Sequence, residues 1–164
     1  MAGKVKAVPE GFNTLSAHIQ VRGAAKAIEF YKKALGAEEV AKMPGPDGKS
    51  IMHAELKFGN SMLMLCEEMP GGEGCTCTSP QTTGKTTAVL HLYVENADAL
   101  YDRAVKAGAK ATMPLMDAFW GDRYGQVTDP FGHVWAISTH KKDLTPEQVK
   151  KGAEEFFANM CGKH

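Results

Sequence analysis

Two stretches of the chain share one pattern: an apolar strand, a tight turn containing Phe-Gly, and a second apolar strand. They are Glu55 to Glu67 (ELKFGNSMLMLCE) and Gln126 to His140 (QVTDPFGHVWAISTH). The Asp-Pro-Phe-Gly turn can reverse the chain sharply, because proline fixes φ and glycine tolerates positive φ. The phenylalanines of the two turns, Phe58 and Phe131, lie 73 positions apart. This spacing predicts a chain built from two copies of one unit.

The same spacing links residues outside the turns. At a separation of 73 positions, the matched pairs are His18 with His91, Val21 with Val94, and Ile28 with Tyr101. After a slip of one position, Gly36-Ala37 matches Gly108-Ala109. Because these matches occur in one order along the chain, they predict an internal duplication.

Hydrophobic periodicity predicts the elements of each copy. Residues 15–21 alternate apolar and polar side chains, as a strand with one covered face does, and residues 24–35 repeat apolar side chains at helical spacing before Gly36. Each copy is therefore predicted to contain a strand, a helix and three further strands. The other strands are predicted at 38–43, 50–57, 61–67, 87–94, 110–115, 123–128 and 133–139, and the second helix at 98–106.

These elements predict a single domain over residues 13–140, with module 1 at 13–68, module 2 at 85–140 and a glycine-rich loop at 69–84. The loop is either a bare linker or a lid over a pocket. Within it, Cys75-Thr76-Cys77 lacks the two-residue gap of a zinc knuckle or a thioredoxin-like motif. These cysteines are expected to be free thiols.

The tail, residues 141–164, is predicted to form a helix. Thr145 suits the N-cap, Pro146 the first helical position and Gln148 the N3 position of a capping box. An apolar stripe follows along the helix: Val149, Ala153, Phe156, Phe157 and Met160. Such a stripe packs either on its own domain or on a partner subunit.

The charge balance narrows the function classes. The chain carries 19 Lys and Arg against 19 Asp and Glu, so its formal net charge is zero. A nucleic-acid-binding surface and a polybasic membrane patch are therefore not expected. The apolar runs are shorter than the roughly 18 residues of a membrane span, and the amino end lacks the apolar run of about 7–15 residues of a signal peptide. A cytoplasmic location is the default expectation.

Three longer strings carry a resemblance to a known family: IMHAELKFGNSMLMLCEE, FWGDRYG and DPFGHVWAISTHKKDLTPEQ. The duplicated βαβββ pattern resembles the vicinal-oxygen-chelate superfamily, which includes glyoxalase I, bleomycin- and fosfomycin-resistance proteins and extradiol dioxygenases. The three strings resemble its PhnB-like branch. Members of that branch are often labelled as demethylubiquinone methyltransferase-type domains. That label fits poorly here, because no Gly-rich nucleotide loop follows a strand.

The resemblance implies an α+β fold in which two βαβββ modules form half-barrel sheets around a shared cleft, followed by a C-terminal helix. Helices would cover the convex faces, and the concave faces would line the pocket. On the first strand, Leu15, Ala17 and Ile19 are expected to face the helix. The residues expected on the concave faces include Ser16, His18, Gln20, His53, Glu55, His91 and Tyr93. Much of the family is dimeric, which implies a homodimer.

Metal-dependent members of the family place one ligand on each of four strands, using His, Gln or Glu. By register with the helices and turns, the corresponding positions here are Ser16, Met64 (or Leu63), Val89 and Ala136. None of these side chains is a competent ligand for a divalent metal of that kind. The chemistry in which a metal polarises a chelated substrate is therefore not expected, and no cofactor is predicted.

Three histidines remain on the expected inner faces: His18, His53 and His91. They can line a pocket without reacting, act as acid–base groups, or form a relocated metal set together with Glu55. They can also be satisfied polar side chains of a half-buried sheet. All four interpretations stay open at this point.

The segment Phe119 to Tyr124 is the other candidate. Trp120 beside Arg123 suits a flat or anionic ligand, through stacking and a guanidinium fork. Alternatively, this is a capping loop in which Arg123 pairs with Asp117 or Asp122. Trp135 is expected in the core, whereas His133 and His140 are expected to be exposed.

Three hypotheses about function follow. The first is a small-molecule-binding protein that acts without the usual metal, with a pocket lined by His18, His53, Glu55, His91, Trp120 and Arg123. The second is a metal-dependent lyase, isomerase or dioxygenase that uses His18, His53 and His91 as relocated ligands. The third is a scaffold without a pocket, whose C-terminal helix binds a partner.

Overall fold

The structure, a computed structural model, describes residues 5–69 and 77–161. The chain forms two compact units, residues 1–86 and 87–164. Within the described residues, no helix combines the length and the apolar composition that crossing a membrane requires. The predicted arrangement of the two modules around a shared cleft stays a prediction.

Each unit is built on a four-stranded mixed sheet, as the α+β prediction requires. The first unit contains β1 (Ala17–Val21), α1 (Ala24–Leu35), β2 (Glu38–Pro44), β3 (Ile51–Phe58), β4 (Ser61–Glu67) and the short α2 (Pro80–Thr83). The second contains β5 (Val89–Tyr93), α3 (Ala97–Lys106), β6 (Lys110–Asp117), β7 (Asp122–Thr128), β8 (Val134–His140) and α4 (Pro146–Cys161). The strand orders are β1-β4-β3-β2 and β5-β8-β7-β6.

The strand register repeats between the units. In each unit the first strand runs parallel to the last and the other pairs are antiparallel. His18 lies opposite Met64 in the first unit, and His91 lies opposite Ala136 in the second. The repeat spacing found in the sequence therefore corresponds to equivalent places in two sheets of the same topology.

Helix α1 has the predicted bounds, and both of its ends have a physical cause. Its apolar side chains pack on the sheet, and Gly36 adopts φ 75°, a conformation that terminates helices readily only at glycine. At the other end, the Glu67 carboxylate accepts hydrogen bonds from the backbone N–H groups of Gly23 (2.6 Å) and Ala24 (2.7 Å). A negative group at a helix N-terminus satisfies free donors and complements the helix dipole.

The Asp-Pro-Phe-Gly turn is tied to the core by the Asp129 carboxylate. Oδ1 accepts hydrogen bonds from the backbone N–H groups of Phe131 (2.8 Å) and His133 (2.9 Å), and Oδ2 accepts one from Trp135 Nε1 (2.8 Å). Asp129 and Trp135 are both buried, so the prediction of a core Trp135 is confirmed. The prediction that His133 is exposed is wrong: this residue is only 8% exposed, because the turn folds back over the unit.

Two further predictions need correction. Strand β1 begins at Ala17, and Leu15, which precedes it, is 90% exposed, so Leu15 does not pack against the helix layer as predicted. Ala17 lies on the same face of the strand as the buried Ile19, but at the exposed end of that strand. Ser16 Oγ donates a hydrogen bond to the Asn13 carbonyl, which bends the chain before the strand. In the predicted loop at 69–84, residues 80–83 form a helical turn that begins at Pro80. Cys75 and the remainder of 70–76 lie outside the described residues.

Helix α4 begins at the predicted capping box. Gln148 Oε1 accepts from the Thr145 N–H at 2.8 Å, and Thr145 Oγ1 accepts from the Gln148 N–H at 3.3 Å. The helix packs on its own unit, where the Phe119 ring lies 5.7 Å from that of Phe156 and an added Cβ at Gly152 would stand 3.1 Å from Phe119. The Met160 side chain, predicted in the apolar stripe, lies outside the described residues.

Replacing Asp129 by Ala is expected to lower the free energy of unfolding by about 2–4 kcal/mol, because three N–H donors lose a charged acceptor and the Trp135 donor is buried. Urea denaturation at 25 °C measures the loss. Asp129→Asn serves as the matched control: its amide oxygen can still accept the two backbone bonds, so about half the loss is expected. A change below about 0.5 kcal/mol in Asp129→Ala would contradict this assignment.

Replacing Thr145 by Ala is expected to fray the first turn of α4 and to cost about 1 kcal/mol locally, since the N-cap acceptor is lost. Amide hydrogen exchange of residues 146–149 would detect the fraying. Thr145→Ser keeps the hydroxyl and should preserve protection. Equal exchange rates in the Ala variant and the unchanged protein would refute the role of the cap.

Candidate functional site

The open face of the first sheet carries three of the predicted site residues. His18 lies on β1, and His53 and Glu55 lie on β3, on the side opposite the buried Ala54 and Leu56. The rings of His18 and His53 are 5.9 Å apart, edge to face, and His53 Nε2 lies 3.4 Å from Glu55 Oε1. The strand alternation predicted from the sequence therefore brings these side chains together.

Partial burial gives His18 a lowered pKa. The desolvation of its ring is the main cause, and the neighbouring His53 acts in the same direction. A lowered pKa keeps the imidazole neutral near pH 7, so that its nitrogens can accept or donate one hydrogen bond each. This face therefore presents a neutral imidazole beside a carboxylate.

A cavity of about 730 Å³ adjoins this face. One wall is the segment 7–14, which precedes the first strand, and the other consists of side chains from the sheet. The lining residues are Ala7, Val8, Pro9, Glu10, Phe12, Asn13, Thr14, Ser16, Glu55 and Met64. Its volume falls within the range of roughly 300–1,000 Å³ typical of small-molecule sites.

The four positions that correspond to family metal ligands have side chains that do not suit a divalent metal. Ser16 is hydrogen-bonded to the Asn13 carbonyl, and Met64 offers only a soft thioether. Val89 and Ala136 have no donor atom. Among residues 5–69 and 77–161, no group of three or more His, Cys, Asp or Glu side chains is arranged to hold a metal ion.

The strand register shows which residues are the direct neighbours of these positions. Met64 lies between His18 on β1 and Glu55 on β3, so Ser16 is not its neighbour. Ala136 lies between His91 on β5 and Gln126 on β7. In each unit, the apolar residue at the corresponding position is thus flanked directly by a histidine.

In the second unit, a buried carboxylate organises the open face of the sheet. Asp122 is 2% exposed. Its Oδ2 accepts hydrogen bonds from Tyr93 Oη and from Trp120 Nε1, both at 3.0 Å, and its Oδ1 accepts one from His140 Nδ1 at 2.8 Å. His140 Nε2 in turn contacts Asp143 Oδ1 at 3.0 Å. This cluster fixes the positions of two aromatic side chains.

The pKa values of the cluster follow from these contacts. Burial raises the pKa of Asp122, but hydrogen bonds from His140, Tyr93 and Trp120 outweigh it, so the pKa lies below its ordinary value. Contacts with Asp143 and then Asp122 raise the pKa of His140. The hydrogen bond to Asp122 raises the pKa of the Tyr93 phenol. Asp122 is therefore an anion at neutral pH, and Tyr93 stays protonated.

His91 belongs to the same face. Its Nε2 shares a hydrogen bond of 2.9 Å with the buried Ser138 Oγ, and its ring stacks on Tyr93 at 4.6 Å. The Tyr124 ring lies 5.8 Å from His91 and 5.2 Å from Trp120. Burial lowers the pKa of His91, although Asp122 partly offsets this effect. His91 and Trp120, both predicted site residues, are thus joined through one aromatic cluster.

Arg123 lies apart from this cluster. Its Nη2 donates to Asp98 Oδ1 on α3 at 2.8 Å, and its Nε lies 3.2 Å from both Asp98 oxygens. A weaker ion pair joins Arg123 to Asp117 at 3.5 Å. Asp98 engages the guanidinium group, so Arg123 joins β7 to helix α3. The sequence analysis anticipated the pair with Asp117 but not the pair with Asp98.

The sequence reasoning named the segment Phe119 to Tyr124, but it missed Asp122 as the centre of the cluster and Gln126, Ser138 and His140 as members. A signal was present, because polar residues alternate along β7 and along β8 and so share one face of the sheet. The hydrogen bonds to Asp122 come from Tyr93, Trp120 and His140, and two of these donors lie far from Asp122 in the sequence, so no local pattern specifies the cluster.

Comparison with known proteins finds relatives both by sequence and by fold. The protein is 40% identical over 136 residues to the uncharacterized protein Mb0911c of Mycobacterium bovis, an alignment that covers 83% of this chain and 89% of the relative. Its fold is similar to the crystal structure of TioX from Micromonospora sp. ML1, with a TM-score of 0.62, 24% identity, and coverage of 78% and 98% of the two chains.

A further structural match supports the fold of the predicted branch. It is a putative 3-demethylubiquinone-9 3-methyltransferase, PhnB protein, from Bacillus cereus, with a TM-score of 0.58, 15% identity, and coverage of 77% of this chain and 99% of the other. At such identity only the fold is shared. The sequence model of the Glyoxalase/Bleomycin resistance protein/Dioxygenase superfamily matches residues 12–137. The chain therefore belongs to the glyoxalase/bleomycin resistance protein/dioxygenase superfamily.

Proposed function

We propose that the protein is a PhnB-like member of this superfamily that binds a small organic molecule in the first-unit cavity, and that binding uses no metal at Ser16, Met64, Val89 or Ala136. The observation that carries the proposal is the cavity of about 730 Å³ beside the open sheet face. It combines apolar walls with a few polar groups, the composition typical of small-molecule sites.

The polar groups of this face support binding. Glu55 lines the cavity, and His53 and His18 follow it on the same face of the sheet. A neutral imidazole and a carboxylate offer both donor and acceptor atoms to a ligand. The Met64 side chain in the lining adds an adaptable apolar contact. Recognition is proposed to rest on these groups.

In the second unit, taken by itself, the aromatic rings on the open face of the sheet are proposed as a surface on which a flat ligand can stack. His91, Tyr93, Trp120 and Tyr124 form a continuous set of rings held by Ser138 and Asp122. Rings fixed by buried hydrogen bonds lose little freedom when a flat ligand stacks on them. Arg123 is left out of the proposed ligand contacts, since Asp98 engages its guanidinium.

The second candidate is a metal-dependent lyase, isomerase or dioxygenase with relocated ligands. One observation favours it: His18, His53 and Glu55 lie close together on a single sheet face. Against it, the rings of His18 and His53 are 5.9 Å apart, and residues 5–69 and 77–161 contain no group of three such side chains that could hold a metal ion.

We also propose that the protein forms a homodimer and is located in the cytoplasm.

Filling the cavity is expected to remove ligand binding. Compounds from a small-molecule screen that raise the melting temperature of the unchanged protein should lose this effect in Ser16→Trp, because the indole occupies the lining. A ligand at a hundred times its Kd stabilises by about 2.7 kcal/mol, so the loss is measurable. Ser61→Trp, at the exposed first residue of β4, is the matched control. Ligands that stabilise both variants equally would place the site elsewhere.

Metal analysis separates the two candidates. The purified protein is expected to contain less than about 0.1 equivalent of zinc, nickel, manganese or iron, because residues 5–69 and 77–161 contain no complete ligand set. Elemental analysis after dialysis against each metal measures the content. One tightly bound equivalent that disappears in both His18→Ala and His53→Ala would reject the metal-free proposal and favour the relocated site.

A further inference from the structure

We propose that the ligand of the first-unit cavity is an organic cation with an apolar body; this inference rests on the proposed function. The charged side chains of the lining are two carboxylates, Glu10 and Glu55. Within the part of the chain that the structure describes, neither Lys nor Arg belongs to the lining. The cavity therefore presents negative charge that its own wall does not balance.

Of the two carboxylates, Glu55 is the better placed to bind a cationic group. Its side chain is 26% exposed, so water screens it only in part. It lies on β3 beside Met64, in the middle of the sheet, where both neighbouring strands hold its backbone. A charge fixed in a partly apolar setting interacts more strongly with an opposite charge than one that is freely hydrated.

The contact between Glu55 and the nearest histidine is a long one. His53 Nε2 lies 3.4 Å from Glu55 Oε1, beyond the 2.7–3.2 Å of a good N–H to O hydrogen bond. His18 is kept neutral near pH 7 by its lowered pKa, which burial and the proximity of His53 explain. The Glu55 carboxylate thus keeps acceptor capacity for a charged donor, such as an ammonium or a guanidinium group.

The apolar residues of the lining indicate the chemistry of the uncharged part of the ligand. Its apolar members are Ala7, Val8, Pro9, Phe12 and Met64. These side chains favour a hydrophobic or aromatic body, because a charged group placed against them would lose its hydration without gaining a partner. The ligand class is therefore an amine or guanidine attached to an apolar group. Organic anions are disfavoured by repulsion from both carboxylates.

Three indole compounds of matched shape test the charge: tryptamine, which is a cation, tryptophol, which is neutral, and indole-3-acetate, which is an anion. Calorimetric and NMR titrations at pH 7.5 and low ionic strength would give their dissociation constants. Tryptamine is expected to bind about tenfold more tightly than tryptophol, and indole-3-acetate more weakly than both. Equal or tighter binding of the anion would overturn the proposal, as would the absence of any tryptamine binding at millimolar concentration.

Two variants locate the charge effect. Glu55→Gln is expected to reduce tryptamine affinity about tenfold, to the level of tryptophol, and to leave tryptophol within about twofold. Glu29→Gln removes one negative charge from the exposed surface of α1, where Glu29 contacts Lys32, and should change neither affinity. If the two variants had the same effect on tryptamine, net charge would be responsible and the proposal would fail.

Ser16→Trp separates failure of the charge assignment from failure of the proposed function. Binding of all three indoles with equal affinity that Ser16→Trp abolishes would retain the cavity and reject the cation. Tryptamine binding that survives in Ser16→Trp would reject both. Loss of tryptamine binding in Ser16→Trp, together with its weakening in Glu55→Gln, is the result expected here.

Discussion

The parallel pairing of the first strand of each unit with its last strand governs the rest of the structure. β1 on β4 and β5 on β8 join residues that are more than forty positions apart, and their register fixes which side chains share a row. A slip of one residue would move every side chain of a strand to the opposite face. The rows His18–Met64–Glu55 and His91–Ala136–Gln126 exist because this pairing is maintained.

Those rows explain how a chain of this superfamily presents a histidine beside an apolar residue on each sheet. Met64 and Ala136 occupy the centre of each row, with a histidine on the neighbouring strand. In the second unit, the buried Asp122 holds Tyr93, Trp120 and His140 by three hydrogen bonds. An ionised carboxylate is stable in such a buried place only when donors surround it, and these donors are thereby fixed in position.

The sequence could predict what depends on local pattern. The bounds of α1 follow from helical spacing and Gly36, and the capping box at Thr145 follows from neighbouring residues. The placement of His53 and Glu55 on one face of β3 follows from strand alternation. The features that the sequence did not predict depend on tertiary contacts. They are the burial of His133, the pairing of Arg123 with Asp98, and the cluster of hydrogen bonds around Asp122. Short helices such as Pro80–Thr83 also carry too few residues for a periodic signal.

The cavity wall formed by residues 7–14 has an evolutionary consequence. This segment belongs to no strand and contributes most of the lining, while the sheet contributes few residues. Substitutions there alter the shape and polarity offered to a bound compound without disturbing strand register or core packing. Related chains can therefore diversify what they recognise while their scaffold stays constant, and the amino-terminal segment is where selectivity should differ first between homologues.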